Sequence, residues 1–402
     1  MNTLLPKTER LHALDSLRAI MMLLGLVIHS SITYGLYEYG DAWSLKDPNS
    51  NSMLNDLIVF FIHSFRMQIF FVVSGFFGAM LFYERKPLAM IKNRISRIVY
   101  PFIVFVILLW PLIYFSLTYT GFVFAGDPNA WAETMATIGT PLFFIPQKTY
   151  HLWFLYYLVM IIGVSILIAF AIRKTPSLAR SISKAFSWII QKPVLRVFFF
   201  AMITGLAYLV MGISSVETSL SFVPDFNTFI YYFTFFIVGW VLFKSKEHLD
   251  SMKRLDWACT LLGTVLFFGY ALNVPSFSFE MTILVKSLVV WLLIFGFTGL
   301  FLRYGSGHSA RMRYISDASY WVYLVHLPIA GFIPALIFEW EVPAMLKFLT
   351  VLSGTSIICF TTYHLFVRST FIGKFLNGRK YSRSVADIRH AEEARKVTAT
   401  LT

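Results

Sequence analysis

Arg18 and His29 share one apolar segment, Asp15-Ser-Leu-Arg18-Ala-Ile-Met-Met-Leu-Leu-Gly-Leu-Val-Ile-His29. Two ionisable groups inside a membrane span are costly enough to imply function. Eleven residues at ~100° each return them to nearly one helix face, about 16 Å apart along the axis. That spacing suits a reaction joining the two sides of a bilayer. His63 and Arg66 stand at i and i+3 on a second apolar segment, His151 and Trp153 open a third, and Arg94 and Arg97 repeat the i, i+3 spacing. Guanidinium groups bind phosphate bidentately and keep their charge at any relevant pH. A neutral imidazole in a low-dielectric pocket is a base that can take a proton from a hydroxyl. An acyl coenzyme A fits both requirements, its phosphates held at the arginines and its long arm carrying the thioester towards His29.

The elements that must position these groups are membrane helices. The chain has 402 residues, 57% hydrophobic and only 14% charged, with mean hydropathy +0.68. A soluble globular chain carries about 25% charge. The net charge of +13 does not indicate a nucleic-acid partner, because the basic residues fall in short loops between apolar blocks and act as topology determinants. Cys259 and Cys359 are far apart, within apolar blocks, and form neither a CxxC motif nor a cluster with histidine, so no disulfide and no metal site is expected. The fold class is therefore all-α, a polytopic membrane protein.

Hydropathy predicts about ten transmembrane helices, near residues 14–34, 57–83, 98–121, 151–173, 195–213, 227–245, 256–273, 282–303, 316–338 and 343–368. One alternate set of loops carries Arg85, Lys86, Arg173, Lys174, Lys244, Lys246, Arg311 and Arg313, whereas the other carries Glu38, Asp41, Asp127, Glu217, Asp225 and Glu339. The positive-inside rule then puts both termini in the cytoplasm. We divide the chain into a membrane domain, 1–376, and a polar cytoplasmic tail, 377–402, in which Asp387 to Arg395 could form a surface helix. The long apolar 122–150 connection is expected in the outer interface or dipping inward as a lid.

This topology assigns depths. His29, His63 and His151 reach a similar outer level from three segments, with Arg66 one turn below His63, while Asp15, Arg18, Arg94 and Arg97 gather at the inner side. An imidazole-rich outer site and an arginine-rich inner site follow. From its depth, Arg66 is expected to contact a negatively charged acyl tail.

The segment from Leu14 to His29 resembles the Arg-x10-His signature of the acyltransferase-3 membrane family, and Arg94-Ile-Ser-Arg97 resembles its Arg-x-x-Arg motif. Phe61 to Gly75, His151-Leu-Trp153-Phe-Leu and Ser319-Tyr-Trp-Val-Tyr323-Leu-Val-His326 are similar to the branch of periplasmic glucan succinyltransferases. The resemblance implies a multi-pass protein of the bacterial inner membrane. It would be an O-acyltransferase carrying an acyl group, succinyl favoured with acetyl as the alternative, from cytoplasmic acyl-CoA to hydroxyls of a periplasmic or surface glycan. Its partners would be the lipid bilayer, the glycan acceptor and a glucan-synthesising machinery. Position by position, His29 would be the catalytic base; His63 and Arg66, from their depth, are expected to assist it. Arg18, Arg94 and Arg97, with Asp15, would bind the donor. His151, Trp153, Tyr323 and His326 would contact the acceptor. The basic tail replaces the soluble esterase-like domain of some members, and Leu327, not a second histidine, follows His326.

Each assignment has a structural competitor: Arg18 snorkelling beside Asp15, Arg94 and Arg97 as positive-inside anchors, His151 and Trp153 as part of an aromatic belt, His326 and Tyr323 in a core network. Ser74, Gly75 and Gly78 are expected to allow close helix contact, Lys286 and Lys347 to snorkel, and His364 has no assigned partner. The functional alternative is a secondary transporter or glycan exporter using the same buried charges. The absence of two-half symmetry in the sequence disfavours it.

Overall fold

The computed structural model describes residues 9–85, 87–273, 276–307, 309–382, 384 and 386, with side chains from His12 onward. Lys7, Lys86 and the Asp387 to Arg395 segment lie outside the described residues. Every regular element among those described is helical. In chain order these are α1 (Glu9–Ser31), α2 (Met53–His63), α3 (Arg66–Glu84), α4 (Pro87–Arg94), α5 (Tyr100–Phe124), α6 (Ala130–Thr137), α7 (Trp153–Arg173), α8 (Pro176–Ile190), α9 (Pro193–Met211), α10 (Phe226–Lys244), α11 (Asp256–Ala271), α12 (Phe279–Tyr304), α13 (Ala310–Leu336), α14 (Ala344–Thr362) and α15 (Phe371–Asn377).

Nine helical stretches among the described residues are long and apolar enough to cross a membrane. The tenth expected span is α11, which is apolar but has 16 residues. At 1.5 Å per residue it is about 24 Å long, short of the ~30 Å hydrocarbon core. Exposed Ile107, Leu108, Leu206, Val210, Leu261 and Val265 give the outer helices an apolar face suited to lipid.

α1 is the central strut, packed on α3, α12, α13 and α14. α3 and α10 approach backbone to backbone. A Cβ on Gly239 would collide with the carbonyl oxygen of Val72, and one on Gly75 with that of Phe236, so Gly75 fulfils the close-packing role expected of it. Fully buried Arg196 donates to the carbonyls of Ile190, Ser251 and Arg254 and so binds α9 to the turn before α11.

Several local expectations change. The segment expected as one helix over 57–83 is two, broken at Ser64 and Phe65, so His63 and Arg66 are not stacked on one continuous helical face. The break is stabilised by Ser64 Oγ, which donates to the carbonyl of Phe61 at 2.7 Å. Lys347 does not snorkel. It is fully buried, 2.8 Å from Asp47, and donates to the carbonyl of Phe338 at 3.0 Å. Lys286 also turns back to protein, donating to Ser214 O at 3.0 Å. His364 finds the hydroxyl of Tyr314 at 3.3 Å. Residues 377–382 return to α13, with Asn377 on the carbonyl of Asp317 and Tyr381 on its carboxylate.

Candidate active site

The breaks and prolines of the helices shape one cavity of about 100 Å³, into which α1, α2, α3, α7 and α13 all contribute. His29, His63, His151 and His326 line it together with Arg66 and Tyr323. The expected coincidence of three histidines is therefore present in space, and His326 makes a fourth. The ring centres of His29 and His326 are 5.3 Å apart, and those of His151 and His326 are 5.1 Å apart.

Three of these rings are fixed by backbone carbonyls, which can only accept. His63 Nδ1 lies 3.0 Å from the carbonyl of Val59, one turn back in α2. His326 Nδ1 lies 2.7 Å from that of Tyr323 and 3.2 Å from that of Val322. His151 Nε2 lies 2.9 Å from that of Leu324. Each contacting nitrogen must carry the proton, so the opposite nitrogen of each neutral ring is a bare acceptor. The bare atoms of His151 and His326 are buried without a hydrogen-bond partner.

The Leu324 carbonyl is available because of the sequence four residues later. Pro328 lies within α13 and has no N–H to give it. His151 takes the place of the missing helical donor. Tyr323 completes the clamp by donating from its hydroxyl to the carbonyl of His151 at 2.7 Å. The clamped turn is strained: Tyr150, just before His151, has φ +44°.

His29 differs from its neighbours. Its Nδ1 is buried without a partner, and no carbonyl holds the ring among the described residues. Trp43, from the loop joining α1 and α2, packs 5.3 Å from it and is held by its own indole N–H on Thr33 Oγ1 at 3.0 Å.

Arg66 opens α3 with its guanidinium beside Gly25 of α1, where a Cβ would collide with it. Its Nε has no partner, and its one hydrogen bond among the described residues goes to the thioether of Met67 at 3.2 Å. No carboxylate lines the cavity among the described residues. The site is thus a half-buried cation, its Nε sealed, among hydrogen-bond acceptors. Trp153 lines the same wall.

The arginine-rich end is separate. Met21, Met22 and Met67 close the cavity on that side, and Arg18 lies one turn of α1 beyond Met21 and Met22. Arg18 pairs with Asp15 at 2.6 Å, and Asp15 accepts from Ser316 of α13 at 2.9 Å. Its guanidinium also lies 5.6 Å from the ring centre of Phe77. The Nε of Arg94 and one of its terminal nitrogens are buried without partners. Arg97 is spent otherwise, donating to the carbonyls of Lys374 and Phe375 at the end of α15 at 2.9 and 2.7 Å.

Sequence reasoning passed over Trp43, Tyr39 and Ala42, which roof the cavity from the loop after α1, and Tyr150 at the end of the 122–150 connection. The density of aromatic residues in the short loop following His29 was the available signal. The connection itself lies at the surface, with Trp131 and Phe144 exposed, and only Tyr150 reaches the cavity.

Comparison with known proteins places the chain among its relatives. Glucans biosynthesis protein C of Escherichia coli K12 is 28% identical over 391 residues, covering 92% of this chain and 95% of the relative. The same protein of E. coli O139:H28 matches to the same extent. No solved structure matches. The acyltransferase domain of the acyltransferase-3 family matches residues 11–364, nearly the whole chain, and the chain belongs to that family of membrane acyltransferases.

Proposed function

We propose that this protein is an acyl-CoA-dependent O-acyltransferase of the bacterial inner membrane that modifies a periplasmic glucan, with His29 as general base. The observation that carries the reading is the freedom of His29 among three imidazoles whose protons are committed to backbone carbonyls. It is the ring in the cavity that can gain and lose a proton with no tautomer lock. As the acceptor oxygen attacks the thioester carbonyl carbon, its proton passes to His29. The C–S bond breaks, and the proton moves on to the departing coenzyme A thiolate.

The bare nitrogens of His151 and His326 accept hydrogen bonds from hydroxyls of the acceptor, and Tyr323 and Trp153 form the wall beside them. His63 fills the opposite flank next to Arg66. A guanidinium buried without an anion attracts one strongly. A dicarboxylic acyl group such as succinyl supplies it, its distal carboxylate on Arg66. The donor phosphates engage Arg18 and Arg94, with Asp15 setting the pose of Arg18. Arg97 contributes by holding α15 beside that entrance. Flexible Met21, Met22 and Met67 move aside for the thioester arm.

Purified protein in nanodiscs, supplied with radiolabelled succinyl-CoA and a linear glucan, tests this. His29→Gln is expected to lower transfer by about 10²–10⁴-fold. Unchanged turnover in that variant rejects the mechanism. Arg66→Ala is expected to impair succinyl transfer far more than acetyl transfer, and equal loss with both donors rejects the carboxylate contact.

A further inference from the structure

The loop between α1 and α2 does more than roof the reaction cavity. Asp56, in the first turn of α2 and 5% exposed, accepts from the backbone N–H of Leu36 at 2.6 Å and of Tyr37 at 3.3 Å. It also accepts from the hydroxyl of Tyr39 at 3.3 Å. One buried carboxylate thereby orders two aromatic residues of the loop against Phe60 of α2. The ring centres are 4.9 Å apart for Tyr37 and Tyr39, 5.5 Å for Tyr37 and Phe60, and 6.1 Å for Tyr39 and Phe60.

This trio is continuous with the site. Tyr39 is part of the cavity wall, whereas Tyr37 is 57% exposed. Charged groups lie close by in the chain: Lys46, which donates to the carbonyl of Leu36 beside Tyr37, pairs with Glu38 at 3.4 Å, and Lys148 pairs with Asp41 at 3.2 Å. Flat apolar rings edged by charged hydrogen-bonding groups complement a pyranose, which has an apolar C–H face and a perimeter of hydroxyls. Aromatic residues lying in lipid headgroups require no buried carboxylate to set their pose. The clamp on Asp56 favours recognition over anchoring.

We infer that Tyr37, Tyr39 and Phe60 form an outer subsite for a sugar ring of the acceptor, so that the enzyme grips an oligomeric glycan over more than the residue being acylated. This rests on the glycan-acceptor reading above. Full-length protein in nanodiscs, with saturating succinyl-CoA, should be assayed against a long linear glucan and against methyl glucoside, in wild type, Tyr37→Ala and Tyr37→Trp. In Tyr37→Ala the KM for the long glucan should rise roughly tenfold, the scale of one lost aromatic contact. Turnover at saturation, donor hydrolysis and methyl glucoside transfer should stay at wild-type values, and Tyr37→Trp should restore the KM. An unchanged KM, or an equal rise with both acceptors, overturns the subsite and leaves the trio a membrane anchor. If the wild type acylates neither sugar while still hydrolysing the donor, the glycan reading fails first and takes the subsite with it.

Discussion

Gly25 and Arg66 illustrate how one atom sets a site. The guanidinium occupies the space that a side chain at position 25 would fill. Gly25→Ala should displace it, raising the KM for succinyl-CoA several-fold and that for acetyl-CoA little. A thermal melt of the same variant should register no more than about 3 kcal/mol, the usual cost of one overpacked methyl group. Arg66 itself was legible from depth alone, because a cation that far into an apolar segment cannot reach water. Its companion was not, since nothing in the spelling of α1 distinguishes a glycine that admits a guanidinium from one that admits a helix. The tautomers of His63, His151 and His326 were equally hidden, as they depend on which carbonyl each ring meets.

At the level of elements, α13 and the loop after α1 hold the decisive features. Pro328→Ala would return the Leu324 carbonyl to a helical N–H and withdraw it from His151. The expected result is a protein whose melting temperature is equal or higher but whose acceptor KM rises several-fold, a split that separates positioning from folding. The Asp47–Lys347 pair, with both side chains 1% exposed, pins the same loop to α14. Lys347→Met should cost about 3–5 kcal/mol in unfolding free energy by stranding the Asp47 carboxylate. The double variant with Asp47→Asn should recover most of it, measured by denaturant melts in detergent. Pro328 removes an N–H by its identity alone, but the partner of the carbonyl it liberates is a tertiary fact. Asp47 and Lys347 lie 300 positions apart, with no local pattern linking them. The helix break after His63 was invisible because neither Ser64 nor Phe65 is a glycine or proline that would signal it.

For the whole molecule, composition and loop charge were enough to obtain a helical membrane protein with about ten spans, because backbone groups in lipid must be satisfied within each segment. Only α11 fell short in length. Orientation can be tested with the same fold. Cys259 and Cys359 are buried, so single exposed cysteines report cleanly. In intact spheroplasts, an impermeant maleimide should label Tyr37→Cys and spare Ser384→Cys, and the converse would invert the assigned topology. A cavity with a fixed positive charge and, among the described residues, no carboxylate has one more effect on the cell. Any catalyst that presents a substrate through the bilayer risks becoming a leak for hydronium and sodium. A permanent cation at its centre repels both. Proteoliposomes containing the protein should therefore hold an imposed pH gradient as well as empty vesicles do, and Arg66→Ala should let it decay faster, tying energy conservation to the side chain proposed to hold the distal carboxylate of the donor.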